Sequence, residues 1–290
     1  WVFQIFTRTR FFLWTLLVFS FEKLIYSIPV SFQKFDSGSM SNVQWNFLQS
    51  PLVKIYYDND AHDLARYALT SLNHCYPYIS TLLGVKFKND FNLNGSTFAV
   101  QMQKEDVVVS SFNGIVAIIG NKLNGPGFAN PVTMNIEAQM AKPYDESFFC
   151  HELTHRLMYE HNDFSIGPLG RIWSLAMFPS WWIEGLAEYF TKSFGKYESQ
   201  TLLMHMALNR EWPTWERLHA LYNASSDENE RGYVTSGAFM EWLFNKVSEK
   251  NLGKIHTIVA HNTIVPPFYN AVDRFLLENT GKVSEDLYKD

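Results

Sequence analysis

The stretch FFCHELTHRLMYEHND, Phe148 to Asp163, sets two histidines four residues apart with a glutamate directly after the first. An α-helix turns once in 3.6 residues, so on a helix His151 and His155 leave the same face and can grip one ion. Zinc favours neutral imidazole and carboxylate ligands, and a catalytic zinc site keeps three protein ligands and one open position. The pattern HExxH supplies two ligands. It arises by chance in roughly one chain in a hundred of this length, so a third ligand must decide between a metal site and a helix with two solvated histidines.

The segment PSWWIEGLAEYF, Pro179 to Phe190, offers that third ligand. Pro179 and Ser180 mark a helix start, which puts Glu184 and Glu188 one turn apart on a common face. Trp181, Trp182, Ile183, Leu186, Tyr189 and Phe190 surround them and are too apolar for a freely exposed helix, so the two carboxylates need a partner. An ion held by His151 and His155 is an economical partner for Glu184. Glu188 is then placed to accept a hydrogen bond from the free nitrogen of a ligating histidine.

The elements that carry these residues can be read from periodicity. Phe149, Leu153 and Leu157 form an apolar stripe beside the histidines, and Pro143 with Asp145 precedes the run, so a helix begins there. Upstream, VKIYYDND reads as a strand, and AHDLARYALTSLNHCYPYISTLLG as a helix ending at Gly84. STFAVQM, GIVAIIG and PVTMNI are short apolar or alternating runs bounded by Asn, Gly and Pro, as strands are. NASSDENERG, Asn223 to Gly232, reads as an exposed loop. Strand, helix, sheet and then helices predict an α+β fold with a mixed N-terminal sheet, an active-site helix and a helical C-terminal half.

The domain reading is 1–30 as signal peptide or membrane anchor, 43–165 as an α+β subdomain with the HExxH helix, and 166–290 as a helical subdomain. Arg8 and Arg10 precede an apolar run from Phe11 to Phe19 that Glu22 and Lys23 close. That run is short of the roughly 20 apolar residues a spanning helix needs, which favours an export signal over an anchor. A signal implies an exported chain, periplasmic, extracellular or membrane-anchored, with possible membrane association through this segment. The chain starts at Trp1, so its true start is expected upstream.

At 290 residues and 47% hydrophobic content the chain can bury a large core. A net charge of −5 and no Lys/Arg cluster argue against nucleic acid as a partner. The two cysteines, Cys75 and Cys150, lack a CxxC spacing and support neither a cysteine zinc site nor a disulfide framework. Cys150 is expected to pack. The other histidines, His62, His74, His161, His205, His219, His256 and His261, lack a motif and are expected to be structural or exposed.

HELTH followed by PSWWIEGLAEY resembles the gluzincin zinc peptidases, and most of all the peptidase MA-like group with its P-x-W-x-x-E-G-x-A-E. KIYYDND with LARYALTSLNHCYPYISTLLG is similar to the group's opening strand and helix, and FYNAVDRFLLENTGKVSEDL to its closing helices. The likeness spans most of Val53 to Leu287. It implies a zincin-like fold, one Zn2+ on His151, His155 and Glu184, and Glu152 as general base. RGYVTSGAFMEWL resembles the helix that brings a tyrosine to the metal, which implies Tyr233 as a catalytic donor to the oxyanion; a packing role for the same ring is the alternative. The G-x-M-E-N strand of related aminopeptidases has no match between Ser96 and Ile136, which points to cleavage inside peptide or protein chains. Family members tend to run beyond the last helix read here, so the end at Asp290 is expected to be incomplete.

Three readings follow. The leading one is an exported zinc endopeptidase that hydrolyses peptide bonds through a zinc-activated water with Glu152 as base. The second is a module of the same fold that keeps zinc for binding or assembly without turnover, and the third is a membrane-tethered interaction protein with functional aromatic surfaces.

Overall fold

The computed structural model of this chain describes residues 45–58, 60–85, 115–119, 127–130, 134–138, 145–161, 178–192, 195–221, 226–247, 255 and 271–290. Strands β1 (Trp45–Gln49), β2 (Val53–Asp58), β3 (Ile115–Ile119), β4 (Gly127–Ala129) and β5 (Asn135–Ala138) form one mixed sheet in the order β1-β2-β3-β5-β4. β2, β3 and β5 run parallel, and β1 and β4 close the two edges antiparallel. Of the strand expected at PVTMNI, Asn135 and Ile136 open β5, Met134 before them takes a left-handed conformation with φ 62°, and residues 131–133 lie outside the described residues. STFAVQM and residues 1–30 lie outside the described residues.

Helix α1 (His62–Leu83) crosses between β2 and β3, and Gly84 ends it in the left-handed conformation expected of a closing glycine (φ 67°). After the sheet come α2 (Glu146–His161), α3 (Ser180–Thr191), α4 (Tyr197–Asn209), α5 (Trp215–His219), α6 (Ser226–Val247), α7 (Ala271–Thr280) and α8 (Ser284–Lys289). The fold is thus a mixed α/β one, mostly helical, with its strands gathered in the first half. No helix among the described residues is long and apolar enough to cross a membrane. The loop expected over Asn223–Gly232 is corrected from Ser226 onward, where α6 begins. Asp227 and Glu228 occupy its first turn, where acidic side chains complement the positive end of the helix; the residues that suggested a loop are also those that start helices.

One apolar cluster draws on the sheet (Ile55, Ala117, Ile136), α1 (Leu72, Ile79), α2 (Phe149, Leu153, Leu157), α3 (Trp181, Trp182, Leu186) and α6 (Met240, Leu243). Residues of 43–165 and of 166–290 therefore share a core. Each large apolar side chain buried in it stabilises the fold by about 1.5–3 kcal/mol.

A second correction concerns the cysteines. Cys75 on α1 and Cys150 on α2 form a disulfide, with their Cα atoms 5.7 Å apart. The pairing was not legible because the partners lie 75 residues apart, and only the packing of α1 on α2 brings them together. Cys150 is buried, as expected, and its bond fixes the residue directly before His151.

Candidate metal centre

Asp145 starts α2. Its carboxylate accepts from the Ser147 backbone N–H at 2.9 Å and from the Ser147 hydroxyl at 2.7 Å, and Lys196 pairs with the same group. Phe149, Leu153 and Leu157 bury one side of the helix completely. The face carrying His151, Glu152 and His155 is thereby turned toward α3.

α3 is set by two contacts of different kinds. The Ser180 hydroxyl donates to the Leu218 carbonyl at 2.9 Å and accepts from the Leu221 N–H, tying the first turn to the end of α5. At Gly185 the helix meets α6 so closely that a Cβ there would lie 2.8 Å from both the Ser236 carbonyl oxygen and Met240 Cγ. Only a glycine permits that approach. Glu184, directly before it, is held against α2, and α6 comes near enough to present Tyr233.

The result is a triangle of donor atoms. His151 Nε2 lies 3.1 Å from Glu184 Oε2, His155 Nε2 lies 3.3 Å from the same oxygen, and the two Nε2 atoms are 3.0 Å apart. Ligands about 2.0–2.1 Å from a tetrahedral ion stand about 3.3–3.4 Å from one another, so the edges of this triangle match a shared ion closely. His151 Nδ1 lies 3.0 Å from Glu188 Oε1. A neutral His151 ring that donates from Nδ1 to Glu188 would offer its Nε2 lone pair to an ion shared with His155 and Glu184. These three residues form a group that can hold a metal ion.

The electrostatics agree. Burial works to raise the Glu184 carboxyl, but the charges and hydrogen bonds of His155 and His151 outweigh it and hold the group well below the usual carboxylate range. Burial works to lower His151, yet hydrogen bonds to Glu184 and Glu188 push it well above its ordinary value. Both shifts report a pocket that favours positive charge beside Glu184.

Glu152 belongs to the site without joining the triangle. Its Oε2 accepts the backbone N–H of Ala129 at 2.6 Å, and burial pushes its carboxyl up against the pull of His155 and His151. Tyr233 stacks on His151, ring centroids 6.0 Å apart, and its hydroxyl hydrogen-bonds to Glu184. Burial followed by the neighbouring carboxylates Glu184 and Glu152 pushes this phenol far above its ordinary range, so it stays a donor.

All six sequence-singled residues, His151, Glu152, His155, Glu184, Glu188 and Tyr233, thus lie together. His62, His74, His205 and His219 are exposed and apart from the group; the remaining histidines named above have no described side chain. Two contributors escaped sequence reasoning. Ala129 acts through its backbone, which no residue type advertises, and Tyr159 donates from its hydroxyl to the Ala129 carbonyl at 3.0 Å. The one signal for Tyr159 was its place two helical turns after Glu152. No protein-family model matches this chain, and no curated protein matches it.

Proposed function

We propose that this chain is a zinc-dependent endopeptidase of the gluzincin type with a zincin-like fold, acting outside the cytoplasm. The observation that carries the reading is the triangle formed by His151 Nε2, His155 Nε2 and Glu184 Oε2, with a fourth group, Glu152, held beside it and out of it. Two histidines and one glutamate are a donor set that suits a catalytic zinc site with an open position. Zinc, when bound, lowers the pKa of a water and polarises a peptide carbonyl.

His151, His155 and Glu184 would hold the ion, and Glu188 would fix the ring of His151 through its Nδ1. The Ala129 N–H occupies Oε2 of Glu152 and leaves Oε1 to take a proton from the attacking water. Glu152 then passes that proton to the leaving amine. Tyr233, kept protonated by burial and by the carboxylates around it, donates to the carbonyl oxygen as negative charge develops there. The lack of G-x-M-E-N between Ser96 and Ile136 favours cleavage inside chains. The Cys75–Cys150 disulfide supports an oxidising compartment and hence export.

The test is hydrolysis of an unfolded protein substrate by the purified chain, with and without chelator, beside Glu152→Gln at equal zinc content. Wild type should cleave and chelator should abolish cleavage, while the variant should keep its zinc and lose about 100- to 10,000-fold in rate. Cleavage by Glu152→Gln at the wild-type rate would remove Glu152 from its role.

A further inference from the structure

Strand β4 is an edge strand, so every second residue turns its N–H and C=O away from the sheet. Asn130, just past its end, directs both toward β5: its N–H donates to the Asn135 carbonyl and its C=O accepts from the Met134 N–H, each at 2.8 Å. Ala129 faces the other way. Both of its polar groups are taken by side chains of one helix, the N–H by Glu152 at 2.6 Å and the C=O by the Tyr159 hydroxyl at 3.0 Å. Glu152 and Tyr159 stand seven residues apart, two turns along one face of α2.

A peptide group held at one end can still pivot, whereas a residue held at both N–H and C=O cannot turn without breaking a bond. The hairpin needs such support. Met134 sits at φ 62°, a conformation costly for a side chain that is not glycine, and it packs in a small buried cluster with Ala129 and Tyr159, apart from the main core. Tyr159 therefore packs with Met134 and Ala129 and also bonds Ala129 by its hydroxyl. The ring accounts for burial; the hydroxyl has a separate task.

We propose that Tyr159 is a positioning residue for Glu152, acting through the Ala129 backbone. By fixing the Ala129 carbonyl it aims the Ala129 N–H at Oε2 of Glu152, which keeps the other carboxylate oxygen turned toward the reacting water. The proposal rests on the reading of Glu152 as general base, but its physical core, the two-ended hold on Ala129, is measurable without turnover.

The experiment uses the zinc-loaded chain and Tyr159→Phe, which keeps the ring and deletes the hydroxyl. The amide of Ala129, followed by NMR with 15N-alanine labelling, should exchange about 3- to 10-fold faster in the variant, since a net hydrogen bond is worth about 0.5–1.5 kcal/mol. Leu153 and Leu157 amides should be unchanged. At equal zinc content kcat should fall about 10-fold while KM stays within twofold, a split that loosened packing of α2 does not produce. Glu152→Ala, which frees the same N–H from the other side, should speed Ala129 exchange as well. Unchanged Ala129 exchange in Tyr159→Phe overturns the proposal, as does faster exchange with unaltered kcat. A wild-type chain without hydrolysis defeats the peptidase reading instead, and Ala129 exchange alone then decides whether Tyr159 holds the strand.

Discussion

Glu184 on α3 and Glu137 on β5 are both almost sealed from water, 4% and 2% exposed, yet their carboxyl groups are shifted in opposite directions. Around Glu137 the only hydrogen bond described to its side chain comes from Asn130 Nδ2 at 3.4 Å, and burial pushes its carboxyl up to about 8. At neutral pH it keeps a proton. Glu184 experiences the same burial, but His155 and His151 outweigh it and the group stays ionised. Burial alone therefore does not decide the charge of an interior acid; the partners do. A carboxylate kept ionised among ring nitrogens, in a fold that neutralises Glu137 at similar burial, is suited to hold a cation.

The sharpest way to break this contrast is Glu184→Ala. It removes one of three donors and the only carboxylate in the triangle, so dialysed protein should lose nearly all of its zinc while the chain remains folded. Metal content against circular dichroism checks both halves, and full zinc occupancy in the variant would break the contrast. Next in size is Tyr233→Phe. If the phenol donates to the developing oxyanion, turnover at matched zinc occupancy should fall roughly 100- to 1,000-fold with KM little changed. Turnover within a few-fold of wild type would reduce Tyr233 to a packing ring on His151.

Glu188→Ala should act more weakly, because it touches the ion only through the His151 ring. Zinc affinity measured by competition with a chelating dye should drop about 10- to 100-fold. A larger loss than that of Glu184→Ala would reverse the two roles.

The smallest effect sharpens the other side of the contrast. Glu137 keeps its proton in the folded chain up to about 8, whereas in the unfolded chain it releases it near its ordinary 4.5. The unfolded state therefore binds fewer protons between those values, so this group's contribution makes stability fall as pH rises through that window. Glu137→Gln should remove that decline. Urea midpoints for the two proteins should converge near pH 4.5 and separate toward pH 8 in favour of the variant, and parallel curves would mean that Glu137 is ionised in the fold.

Much of the site was legible because its chemistry sits at helical spacing. His151 and His155 share a face by the length of a turn, and Glu184 and Glu188 by the same rule; their apolar neighbours, Phe149 and Trp181 among them, announced burial. The helix ending at Gly84 and the strands over Val53–Asp58 and Ile115–Ile119 were readable for the same reason of period and punctuation. What escaped was set by tertiary contact. β4 is three residues long and too short to show a period, yet its Ala129 N–H orients Glu152. The Cys75–Cys150 bond depends on α1 lying against α2. Ser226–Gly232 could start a helix or form a loop by composition alone, and its packing decides: Gly232 comes so close to Leu221 that a Cβ there would lie 2.1 Å from Cδ2.

The central claim is that His151, His155 and Glu184 jointly hold one zinc ion. Anomalous diffraction from a crystal of the zinc-loaded chain, recorded on both sides of the zinc edge, tests it most directly. One peak should appear about 2.0–2.2 Å from His151 Nε2, His155 Nε2 and a Glu184 carboxylate oxygen, with Glu152 outside bonding distance. A zinc peak elsewhere in the molecule, or none between these three residues in a crystal grown with zinc, would contradict it.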